Sequence, residues 1–125
     1  PRARELAEQI TAAESRLEHA RGEMELGYRD SNGAFVRASS VKLSGLLRSA
    51  PEEALRRAAW NALRSIEPYV LDHGFLELVR MRNRLGRLLG AEDYYDWKTR
   101  RVENLSKRQV FAWLDELEER TRAAG

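Results

Sequence analysis

The chain has 125 residues, the length of one ordinary domain spanning 1–125, and its 42% hydrophobic and 34% charged residues exclude a disordered chain. Its 20 acidic residues interleave with 22 basic ones for a net charge of +2, so the pI near 9.3 reflects no basic face and argues against a nucleic-acid binder. Absence of cysteine excludes disulfides and thiolate metal sites and points to a reducing, cytoplasmic compartment. The longest apolar run, Val110 to Leu114, is far short of the ~20 residues of a membrane span. Pro1 stands where a Met would, with no signal-like segment behind it, so the start is expected to be a cloning or proteolytic boundary.

Taken in chain order, Leu6, Ile10, Ala13 and Leu17 recur at three- and four-residue intervals and predict a helix from Arg2 to Gly22. Its apolar stripe is narrow and alanine-rich, so the helix needs a partner to be stable. From Met24 to Ser39 the period changes. Met24, Leu26 and Tyr28 alternate with Glu25, Gly27 and Arg29, and Phe35 and Val36 follow the turn signal Asp30-Ser31-Asn32-Gly33. Asn-Gly readily takes the positive φ angles of a tight turn, so residues 24–39 read as a short β-hairpin, with an ordered loop as the alternative.

Ser40 is placed to cap a short helix carrying Val41, Leu43, Leu46 and Leu47, and Ser49-Ala50-Pro51-Glu52 is a second start signal. Leu55, Ala59, Ala62, Leu63, Ile66 and Val70 then keep helical spacing. Pro68 falls inside that pattern and should kink or restart the helix, because it removes a hydrogen bond and crowds the preceding turn. After a break at Asp72-His73-Gly74, Phe75, Leu78, Val79, Leu85 and Leu89 form the next stripe, with Arg82 inside it and Gly90 as its C-cap. A short helix from Glu92 to about Val102 bears Tyr94, Tyr95 and Trp97. The capping box Ser106-Lys107-Arg108-Gln109 launches a last helix with Val110, Phe111, Leu114 and Leu117 inward. The fold class expected is therefore mainly α, a bundle of about five or six helices with one short β-hairpin at about residues 24–39.

Candidate chemistry is sparse. His19 and His73 lie far apart, outside any metal-ligand spacing; His19 reads as a solvated surface residue and His73 as a cap on the helix before Gly74. The pairs Glu52-Glu53 and Glu118-Glu119 diverge by about 100° on a helix, which suits solvation better than acid–base work. Gly86 and Gly90 stand at a helix C-terminus, the wrong pole for a phosphate. Arg80, Arg82, Arg84 and Arg87 point in several directions. Arg82, on an apolar face, is expected to pair with an acid of a neighbouring helix rather than bind substrate. Tyr94, Tyr95 and Trp97 read as the end of a core. The helices are long for so short a chain, so some apolar surface should be left uncovered.

One stretch carries a family resemblance. Glu77-Leu-Val-Arg-Met-Arg-Asn-Arg-Leu-Gly-Arg-Leu-Leu-Gly-Ala-Glu-Asp-Tyr-Tyr-Asp-Trp97 resembles the segment of oligoendopeptidase F and thimet-oligopeptidase-type zinc peptidases that reads, in outline, R-N-x-L-A-x-x-L-G-[YF]-x-x-Y-x-[DE]. Arg82, Asn83, Leu85, Leu89, Gly90, Tyr94 and Asp96 fit it, whereas Gly86 and Ala91 depart from the commoner alanine and aromatic residues. The stretch from Leu46 to Leu63 resembles the preceding helix of the same enzymes, and the segment from Leu105 to Leu117 the following one, so the likeness covers about residues 40 to 122. The resemblance implies a helical wall of a deep peptide cleft. It also implies a zinc ion held by a later HExxH helix and a downstream glutamate, none of which occurs here. No catalytic, cofactor-binding or metal-binding residue is therefore carried over, and this chain alone is expected to be inactive. Its implied partners are the remainder of the peptidase and, through it, peptide substrates. The alternative is a helical interaction or scaffold module.

Overall fold

The computed structural model describes residues 1–125 as seven helices and one two-stranded antiparallel sheet. The order is α1 (Arg2–Glu23), β1 (Gly27–Arg29), β2 (Phe35–Arg37), α2 (Ser40–Ser49), α3 (Glu53–Arg64), α4 (Ile66–Asp72), α5 (Phe75–Leu88), α6 (Tyr94–Glu103) and α7 (Lys107–Arg122). The mainly helical class and the hairpin are as the pattern predicts. The seventh helix comes from the segment around Pro68: the backbone N–H of Ser65 turns back to the carbonyls of Asn61 and Ala62, and α4 starts afresh at Ile66. Pro68 thus lies in the first turn of a new helix, where its missing N–H has no partner to lose. No helix is long and apolar enough to cross a membrane.

The chain forms two compact units, Ala13–Leu76 and Pro1–Ala12 with Glu77–Gly125. In the first, Gly27 faces Arg37, Tyr28 faces Val36 and Arg29 faces Phe35. This register puts Leu26 and Tyr28 on one face, and both pack on a core of Ala38, Leu43, Ala59 and Ala62, joined by Leu46, Leu47 and Leu63. Leu43 is wholly buried, which stabilises the fold by roughly 1.5–3 kcal/mol over an exposed leucine. Small alanines on α3 let α2 and the hairpin approach closely.

Three local expectations are corrected in this unit. The hairpin turn does not use positive φ at both Asn32 and Gly33. Only Gly33 takes it (φ +80), because the N–H of Asp30 bonds to the carbonyl of Ala34 and closes a three-residue loop that needs one left-handed position. The Asp30 carboxylate accepts from the amides of Asn32 and Ala34 and holds that loop. The cap of α2 is Ser39, not Ser40: it is the residue still extended as the chain leaves β2 (φ −68, ψ 162), and its Oγ accepts from the Lys42 amide. Ser49 caps nothing downstream. It remains the last residue of α2, donating its hydroxyl to the Gly45 carbonyl, and α3 begins after Glu52 without a side-chain cap. The guanidinium of Arg56 instead ties the connection by donating to the carbonyls of Ala50 and Pro51.

In the second unit, Leu6 and Ile10 of α1 and Leu78 and Leu85 of α5 are buried, as their spacing predicts, and Met81, outside the predicted stripe, is buried with them. Phe75 and Leu89, from the same predicted stripe, are exposed. The largest departure is α7. Phe111, Leu114 and Leu117, expected inward, are 46%, 54% and 58% exposed, and Val110 is only half-buried. The helix has a well-formed apolar face, but none of its residues is buried.

Candidate functional site

The densest polar structure in the chain is the corner joining α5, α6 and α7. It begins with a helix stop. The amide of Gly90 bonds to the Arg87 carbonyl and the amide of Ala91 to the Gly86 carbonyl, the paired closure that requires a left-handed residue. Gly90 supplies it with φ +87. The chain then runs back so closely over α5 that a Cβ on Gly86 would lie 2.4 Å from the Asp93 carbonyl. That contact leaves room for no side chain larger than glycine at position 86. Asn83 Oδ1 accepts from the Tyr94 amide. The guanidinium of Arg82, half-buried, lies 5.5 Å from the centroid of the Tyr94 ring.

Asp93 caps α6, its Oδ1 accepting from the Asp96 amide at 2.9 Å. Asp96 is the centre of the corner. Its carboxylate is 1% exposed and accepts the backbone N–H of Lys107 (2.8 Å), the Nε of Arg100 (3.0 Å) and the backbone N–H of Glu92 (3.1 Å). The amide of Lys107, with those side donors, holds Asp96 ionised down to a pKa of about 2, against an ordinary 3.8. The Lys107 ammonium sits 2.5 Å from Asp93 Oδ2; this bond lowers the Asp93 carboxyl and raises the lysine. Arg108 Nε reaches Glu92 at 2.9 Å on the surface. The capping box is present as predicted, with Ser106 Oγ accepting from Gln109 and the Gln109 side chain accepting from the Ser106 amide.

A carboxylate so surrounded has little capacity for acid–base chemistry, because its oxygens already hold three donors and its proton affinity is low. The other candidates are not brought together. His19 is exposed beside Glu23 at 3.3 Å. His73 stacks on Tyr69, ring centroids 4.1 Å apart, and its Nδ1 lies 2.6 Å from the Tyr69 carbonyl, the capping role expected of it. Glu53 and Glu118 lie on the surface beside Arg57 and Arg122. No three His, Cys, Asp or Glu side chains are grouped to hold a metal ion. An open cleft of about 510 Å³ is lined by Arg21, Met24, Leu26, Arg37, Ser39 and Ser40 among others, with neither an acid nor a histidine.

Asp96 was visible in the sequence only as a letter of the family-like stretch. The signal that would have raised it is its place three residues after Asp93, an N-cap spacing; its burial depends on Lys107, which lies 11 positions further on. No family model matches the chain, nor does any curated protein or solved structure.

Proposed function

We propose that this chain is a non-catalytic helical segment of a zinc-dependent oligopeptidase, supporting one wall of the enzyme's peptide cleft. The observation that carries this reading is the corner itself. Arg82, Asn83, Gly90, Tyr94 and Asp96, which fit the oligopeptidase pattern, each have a place in it: over a ring, on an amide, in the helix stop, at the cap and at its buried centre. A likeness built from residues of that kind is a likeness of scaffold, not of catalytic machinery. The zinc would be held by an HExxH helix elsewhere in the same enzyme, where it would activate water for peptide hydrolysis. Absence of cysteine supports a reducing, cytoplasmic setting.

Reading the coding sequence downstream of residue 125 tests the proposal. An HExxH motif in frame supports it, and a stop codon there overturns it. Peptide hydrolysis by this chain alone with added zinc would also overturn it.

A second reading, a helical interaction module, is favoured by one observation: the exposed Phe111, Trp113, Leu114 and Leu117 on α7.

A further inference from the structure

α7 is anchored at one end. Its first residue, Lys107, gives its backbone N–H to buried Asp96 and its ammonium to Asp93. Arg108 reaches Glu92, and the Phe111 ring lies 5.8 Å from that of Tyr95. Beyond these contacts the picture changes abruptly: every residue from 111 to 125 is exposed. The anchored end is hard to release, because withdrawing Lys107 would strip a buried carboxylate of a donor. The outer end has no apolar packing to hold it. The helix is nevertheless braced along its own length by ion pairs from Glu116 to Arg120 and from Glu118 to Arg122. The link before it is short and bent, with Asn104 in the left-handed region (φ 55), which ends α6 sharply.

We propose that α7 is a pivoting arm, a helix that turns as a unit about Asn104–Ser106 with the Asp96 cluster as its pin. This inference is made for the 125-residue chain by itself and uses only the α6–α7 connection and the exposure of α7 in it. A rigid arm makes a definite demand. Displacement grows with distance from the pivot, about 9 Å of helix to Ala112 and about 20 Å to Glu119 at 1.5 Å per residue, so motion at the second should be about twice that at the first.

The chain has no cysteine, so introduced pairs can be spin-labelled uniquely. Distances from Lys98→Cys on α6 to Ala112→Cys and to Glu119→Cys on α7 would be measured in the full chain. The expected result is a distance distribution about twice as wide at the outer site. Equal, narrow distributions at both sites would overturn the pivot. Amide hydrogen exchange in the unlabelled chain supplies the second measurement: protected amides over residues 112–120 mark a turning helix, while unprotected ones mark a frayed segment and would overturn the arm. Asp96→Asn, with folding checked by circular dichroism, should widen the inner distribution as well. An unchanged inner distribution would show that the cluster is not the pin.

Discussion

The core of the hairpin, α2 and α3 and the corner of α5, α6 and α7 are held by opposite means. The first is an apolar cluster of Ala38, Leu43, Ala59 and Ala62 under Leu26 and Tyr28. The second is a polar knot in which a buried aspartate gathers two backbone amides and an arginine. The contrast shows what each interaction demands of the sequence. Apolar burial is non-directional and tolerates residues of similar size, so its signature is periodicity. A buried carboxylate is stable only if particular donors reach it, so its signature is a set of positions that need not be periodic at all.

The comparison can be tested from its strongest element downward. Leu43→Ala removes a fully buried side chain and should lower stability to urea by about 3 kcal/mol, within the usual range for such truncations. A loss below about 1 kcal/mol would mean that the cluster relaxes around the gap and is not tightly packed.

A transition in acid should be the next effect in size, and it belongs to the corner. Asp96 has a folded pKa depressed to about 2 from an ordinary 3.8. Its contribution is therefore fully present above that ordinary value and is lost as pH falls through 3.8 towards 2. The Asp93 shift has the same sign, while the raised Lys107 contributes below its ordinary 10.5 and is lost only as pH rises through its folded value. The amide proton of Lys107, followed by NMR, should titrate with a midpoint near 2, and Asp96→Asn should abolish that titration. A midpoint near 3.8 would show a carboxylate without its donors.

The smallest effect is expected at the rim. Arg108, 86% exposed, pairs with Glu92, and Arg108→Ala should cost below about 0.5 kcal/mol, less still in high salt. Denaturation at two salt concentrations measures it. A salt-independent loss above about 1 kcal/mol would mean that the knot extends to its exposed edge.

Particular residues show where the sequence was legible. Gly90, the Ser106–Gln109 box and the restart around Pro68 stand where their letters predict, since each acts through hydrogen bonds to neighbours within a few positions. Ser40 and Ser49 misled because several serines could serve as caps. The choice of Ser39 depended on where extended chain leaving β2 turned into helix, and Ser49 stayed inside α2, whose Leu46 and Leu47 pack on the core. For Arg82 the spacing pointed to an acid of a neighbouring helix and did not pick out the aromatic face of Tyr94, over which its guanidinium lies.

What the sequence determined by itself is therefore the mainly helical run, some of its stops and starts and the hairpin, because propensity, caps and turns act over one to five residues. Tertiary structure decided the rest. Asp96 is buried because Lys107 returns over α6, and Gly86 is required because Asp93 passes within a Cβ's reach. The apolar face of α7 has the spacing of a core helix and is exposed all the same. Periodicity specifies which side of a helix is apolar; only the path of the remaining chain determines whether anything covers it.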